Sequence, residues 1–118
     1  MNVTYIILII LGIVIVCGLS YFLYLKRITT IQDEFYPTGE LRRKYTLRKG
    51  LKNGREKVFY KSGELNKTKQ WEKGKQIGKA LTYYINGQLY MSELFEEYKL
   101  NKIEVYDLSG KLKEEIKL

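Results

Sequence analysis

The heptapeptide FYPTGEL at Phe35–Leu41 returns as FYKSGEL at Phe59–Leu65 and as YYINGQL at Tyr83–Leu89, with a looser copy, VYDLSGKL, at Val105–Leu112. Tyr36, Tyr60 and Tyr84 are spaced by 24 residues, and Tyr106 follows after 22. A period of this length is the mark of a repeat architecture, in which each copy is one supersecondary unit that buries its apolar side only against its neighbours. An enclosed catalytic cleft is not expected of such a chain.

Each copy carries two turn signals. The first is a glycine after a small polar residue, at Gly39, Gly63, Gly87 and Gly110; Asn86-Gly87 predicts a type I′ hairpin, which needs positive φ at both central positions. The second lies at Gly50-Leu51-Lys52-Asn53-Gly54 and Gly74-Lys75-Gln76-Ile77-Gly78, echoed without glycine by Tyr98-Lys99-Leu100-Asn101. The stretches between are of strand length and rich in Tyr, Phe, Val, Leu and Thr. The fold expected is an all-β repeat domain, an antiparallel meander of about eight strands, with units near 34–54, 55–78, 79–101 and 102–118.

Alternation along the strand after each first turn puts Leu41, Arg43, Tyr45 and Leu47 on one face. Leu65, Lys67, Lys69 and Trp71 follow in the next copy, and Leu89, Met91, Glu93 and Phe95 in the third. A face apolar at its ends and polar in the middle suits a thin, elongated sheet. Leu47, Trp71 and Phe95 are one period apart and are expected to form a structural row, where cross-strand pairs add roughly 0.2–1 kcal/mol each. Tyr106 and Leu112 complete the repeated positions in the fourth copy.

The Tyr-x-x-Gly-[Glu/Gln]-Leu core, followed by an aromatic residue and a glycine-containing turn before the next aromatic pair, resembles the bacterial MORN-repeat variant family, which includes YwqK-like antitoxins. The resemblance spans about 34–118. It implies an elongated sheet of β-hairpins, and its antitoxin members imply binding and neutralisation of a toxin. The fourth copy departs from the pattern, with one more residue between Tyr106 and Gly110 and no second half, as a capping repeat would.

Residues 1–25 contain no Asp, Glu, Lys or Arg, and Val3–Leu25 is almost wholly apolar. At a rise of about 1.5 Å per residue that run reaches roughly 35 Å, enough to cross a hydrocarbon core of about 30 Å. Residues 1–27 are therefore expected to form a transmembrane helix with a basic flank, joined to the repeats by a short linker at 28–33. A cleaved secretory signal is the competing reading, but no positive side chain precedes the apolar run and the run continues past Gly18-Leu19-Ser20. Cys17 follows the bulky Val14-Ile15-Val16 and reads as a lipid-facing or packing residue rather than an acylated one.

All 21 basic and 13 acidic residues lie beyond residue 25. Lys26–Lys79 holds 16 basic and 6 acidic residues, whereas Ala80–Leu118 holds 5 and 7. Lys26 and Arg27 behind the span favour a cytoplasmic repeat domain in a bacterial cell membrane. Arg42, Arg43, Lys44, Arg48, Lys49, Lys52, Arg55 and Lys57 form the densest basic stretch, candidates for contact with anionic lipid headgroups or a protein partner.

With no His and one Cys, the usual bases and zinc constellations are absent, and no phosphate-binding glycine loop is present. No catalytic, cofactor or metal residue is assigned. Nucleic acid is a weak candidate ligand, since no known recognition signature accompanies the interleaved Tyr and Lys. The expected function is a non-enzymatic, single-pass membrane protein whose repeats bind a protein partner, such as a toxin, or lipid headgroups. The alternative is a structural envelope spacer with the repeats facing the periplasm or exterior.

Overall fold

The computed structural model describes residues 2–118, which form one helix and one antiparallel sheet. Helix α1 spans Val3–Ile28; its first turn is capped by Asn2, whose side chain accepts a hydrogen bond from the Thr4 N–H at 3.3 Å. The 26 residues give a length of about 39 Å. None of them is buried, and the helix is long and apolar enough to cross a membrane.

The strands are β1 (Thr29–Phe35), β2 (Leu41–Arg48), β3 (Leu51–Lys52), β4 (Gly54–Phe59), β5 (Leu65–Glu72), β6 (Lys75–Tyr83), β7 (Leu89–Glu96), β8 (Lys99–Tyr106) and β9 (Leu112–Lys117). They lie in the order β1-β2-β4-β5-β6-β7-β8-β9, with the two-residue β3 paired to β2. The path of eight strands is the expected hairpin meander. Of the segment 28–33, read as a linker, Ile28 closes the helix and 29–33 are strand: the β-branched Thr29, Thr30 and Ile31 pair with Arg48, Leu47 and Thr46. The helix thus passes into the sheet without a spacer, and the Ile28 carbonyl accepts from the Lys49 N–H at 2.7 Å.

The two kinds of turn exchange the roles expected of them. At each FYxxGEL-type turn only the glycine has positive φ, from 83° at Gly110 to 103° at Gly39. The Gly39 N–H donates to Tyr36 O at 2.9 Å and the Tyr36 N–H to Glu40 O at 2.8 Å, which is a three-residue loop closed by a type I turn and a left-handed glycine. Asn86-Gly87 belongs to this class and is not type I′. The pairs with positive φ at both positions are Lys49-Gly50, Lys73-Gly74 and Glu97-Tyr98. Gly54 and Gly78, expected within those corners, instead lie at positive φ at or near the start of the following strand.

A bulge recurs after every motif leucine. Glu34 pairs with Arg43 but Phe35 with Leu41, so Arg42 is extra; Asn66, Tyr90 and Lys113 are extra in the same way. The additional residue reverses the alternation, and Leu41, Leu65 and Leu89 lie on the opposite face from Arg43, Lys67 and Met91 rather than beside them.

Register also realigns the fourth copy. Asp107 makes the backbone bonds that Tyr36, Tyr60 and Tyr84 make in theirs, accepting from Gly110 and donating to Lys111, while Tyr106 takes the place of Phe35, Phe59 and Tyr83. No residue is inserted, and β9 follows this turn as β2, β5 and β7 follow theirs. The tyrosines link successive copies: Tyr36 Oη donates to Phe59 O at 2.8 Å, Tyr60 Oη to Tyr83 O at 2.6 Å and Tyr84 Oη to Tyr106 O at 2.9 Å. Asp107 turns inward instead, accepting from the Ser109 and Lys111 N–H groups.

A single layer cannot enclose a core. Among the described residues only Glu56, Ala80 and Ser92 are buried, at 0%, 1% and 6% exposure. The molecule measures 77 × 37 × 24 Å. Eight strands side by side account for about 34 Å, and hairpins of 20–30 Å set end to end with α1 account for the long axis. Because β1 runs away from the helix, the FYxxGEL-type turns lie at the far end and the Lys49-Gly50, Lys73-Gly74 and Glu97-Tyr98 turns at the end nearest α1.

Candidate functional site

The basic stretch of the second, third and fourth strands divides between the two faces and the helix-proximal edge. On one face Glu56 collects donors from three elements. Its carboxylate accepts from Lys52 Nζ at 3.0 Å, Trp71 Nε1 at 2.7 Å and Arg43 Nη1 at 3.4 Å. Arg43 also donates to Glu34 from Nε at 2.9 Å and Nη2 at 2.5 Å, and Tyr45 Oη donates to Glu34 at 3.1 Å. The Lys52 ammonium sits 4.6 Å from the Tyr45 ring centroid and 4.8 Å from that of Trp71, between two aromatic faces.

The titration of this face follows from its pairing. The Arg43 hydrogen bonds hold the Glu34 carboxyl below the usual carboxylate range, and the same contact raises the Arg43 guanidinium. Donation to Glu34 raises the Tyr45 phenol. Burial lowers the Lys69 ammonium, and the attraction of Glu56 opposes this only in part. Farther along, Lys67 Nζ bridges to Glu93 at 2.8 Å. Every carboxylate here is matched to a cation or an N–H or O–H donor, so the arrangement is a structural charge network.

The other face is different. Arg55, Lys57 and Lys79 surround a depression of about 410 Å³ whose floor and walls include Leu65, Thr68, Gln70, Leu81 and Tyr83. None of the three cations has a salt bridge. Lys57 stands opposite Lys44, whose contact with Asp33 is long at 3.8 Å, so like charges face each other across the β2–β4 pair. The remaining cations go elsewhere: Arg42 is an exposed bulge residue 5.9 Å from the Tyr36 ring, while Arg48 pairs with Thr29 and the Lys49 N–H bonds the Ile28 carbonyl at the end of α1.

Leu47, Trp71 and Phe95 are all half-buried near the helix-proximal ends of their strands. Trp71 lies opposite Gly54 and Phe95 opposite Gly78, so each ring meets a residue with no side chain to displace it. They do not stack: among the described residues the one close ring pair is Tyr84 with Tyr90, at 5.0 Å and 55°. Glu40 and Glu64 accept from Thr38 Oγ1 and Ser62 Oγ within their exposed loops.

Glu34, Glu56 and Lys79 carry these two faces, and sequence reasoning singled out none of them. Glu56 has Ala80 at the same position one period later, so nothing periodic marks it as a hub. Lys79 joins Arg55 and Lys57 only through the intervening β5. No group of three or more metal-ligating side chains comes together among the described residues. The chain matches no protein-family model, no curated protein and no solved structure.

Proposed function

We propose that the protein is a single-pass membrane protein whose repeat sheet is a non-enzymatic docking surface for an acidic protein partner. The observation that carries this reading is the Arg55, Lys57 and Lys79 set, three unneutralised cations around a depression with apolar walls at Leu65, Leu81 and Tyr83. Charge of one sign beside exposed apolar surface steers a partner bearing carboxylates next to aromatic or aliphatic side chains. By its resemblance to MORN-repeat variants, a toxin is one candidate for such a partner, with the chain as the neutralising member. Lys26 and Arg27 in the last turn of an otherwise apolar helix favour a cytoplasmic sheet in a bacterial cell membrane.

Photo-crosslinking in native membranes tests the docking face. A photoreactive residue at position 81 should give a discrete protein adduct, one at position 93 on the opposite face should not, and Arg55→Glu with Lys57→Glu should abolish the adduct. Equal labelling from both faces would point to a spacer that contacts neighbours without selectivity.

A further inference from the structure

The helix-proximal end of the sheet holds a second cationic site. The turns Lys49-Gly50 and Lys73-Gly74 flank a hollow of about 530 Å³ lined by Arg48, Lys49, Leu51, Asn53, Glu72 and Lys73. Its walls are fixed by backbone: the Gly74 N–H donates to Lys52 O at 2.8 Å and the Lys73 N–H to Asn53 Oδ1 at 3.4 Å, tying the second turn to the first. A Cβ on Gly74 would lie 3.3 Å from Leu51 Cδ2, and its φ of +80° disfavours any side chain. Leu51 is half exposed at the mouth.

Three cations against one carboxylate give the hollow a positive field, and its place in the fold decides what anion it meets. The Lys49 N–H is bonded to the last helical carbonyl, so the hollow stands beside the end of α1, where Lys26 and Arg27 also emerge. A charged end of a domain joined to a spanning helix without a linker is held at headgroup depth. The third turn, Glu97-Tyr98, lies farther from the helix across the sheet and replaces Lys49 and Lys73 with a carboxylate at the matching position.

We propose that this hollow binds the phosphate of an anionic lipid in the bilayer that α1 crosses, with Arg48, Lys49 and Lys73 as its ligands and Leu51 dipping toward the acyl boundary. The site stands the sheet on end against the membrane, leaving both faces free. It rests on the reading that α1 spans the bilayer, and basic groups near an anionic leaflet gain from its negative surface potential.

The full-length protein in vesicles, carrying Cys17→Ala and one reporter cysteine, tests this. A fluorophore at Leu51→Cys should be quenched by nitroxide-headgroup lipid several-fold more than one at Ser62→Cys in a far-end turn. The excess should grow when phosphatidylglycerol is added to phosphatidylcholine, and should disappear in Lys49→Gln/Lys73→Gln. Equal quenching at the two positions, or quenching at 51 indifferent to phosphatidylglycerol and to the lysine changes, overturns the site. Alkaline extraction separates the two readings: a chain that stays with the vesicles while 51 is unquenched loses only the headgroup site, and a chain released by alkali loses the spanning helix as well.

Discussion

Replacing Glu56 with leucine should destabilise the sheet by about 3 kcal/mol, roughly two orders of magnitude in the folded-to-unfolded ratio. The magnitude follows from who is left behind. Arg43 keeps Glu34, but Lys52 loses its one salt-bridge carboxylate and Trp71 Nε1 its acceptor, with the Lys69 ammonium already in partial burial nearby. Removing one partner of a buried ion pair costs about 3–5 kcal/mol. Arg43 and Lys52 are 31% and 26% exposed, so water reaches both and sets the lower end of that range. Glu56→Gln keeps the shape and an acceptor and should cost about half as much. Adding Lys52→Met to Glu56→Leu should restore much of the loss, because Arg43 keeps Glu34 and the cation left without a carboxylate is gone. Urea unfolding in detergent micelles, followed by Trp71 fluorescence and far-ultraviolet dichroism, measures all three variants against the parent chain. With a slope near 1.5 kcal/mol/M, the single leucine variant should shift the midpoint by about 2 M. A midpoint unmoved by Glu56→Leu, or a double variant as unstable as the single, would refute the argument that charge pairing is what makes this buried position tolerable.

The inter-copy bonds predict that Tyr60→Phe and Tyr84→Phe each cost about 1 kcal/mol, a melting shift of roughly 4–8 °C, read by thermal dichroism. Glu97 and Tyr98 occupy left-handed φ of 48° and 64° without glycine, so Glu97→Asn with Tyr98→Gly should raise stability by about 1 kcal/mol in the same assay. Thr82 Oγ1 is buried without a partner, and Thr82→Val should therefore be neutral or stabilising by up to about 1 kcal/mol. Hydrogen bonding depresses Glu34, Glu40, Glu64, Glu104 and Asp107 below their ordinary values. Their contribution is present above the unfolded carboxylate range, about pH 4, and is lost as pH falls through the lower folded values. Tyr45 and Tyr106 are raised by donating to Glu34 and Glu104, and their contribution is lost as pH rises through folded values above about 10. The melting temperature should show no decline between those limits; a decline beginning well above the carboxylate range would count against this pairing.

The period alone located the hairpins, because a glycine and an aromatic pair recurring every 24 residues leave little choice of strand boundaries. What the period hid were the departures from strict alternation. Arg42, Asn66, Tyr90 and Lys113 look like ordinary outward positions, yet as bulges they carry the motif leucines to the other face. The left-handed pair Glu97-Tyr98 was invisible for a related reason: neighbouring strand register imposes that conformation on residues that would not choose it. The fourth copy misled because Tyr106 and Asp107 invite alignment by residue type, whereas the backbone bonds align them by position. The basic stretch was legible as charge. Its partition into a neutralised face, an open face and a helix-proximal hollow depends on strand parity and on contacts with β5 and β6.

The hydroxyl that each copy lends to the carbonyl of the next gives the array a direction, like a polymer with a distinct head and tail. Since the donor always lies one copy upstream of its acceptor, a whole 24-residue unit excised or duplicated in frame leaves every such hydroxyl a carbonyl to meet. Such a chain can change its reach in steps of one hairpin and keep this bond at each junction. The residue at 107 decides whether that grammar continues: aspartate folds the hydrogen bonds back into its own loop, and tyrosine there would hold out a hydroxyl for another unit to receive.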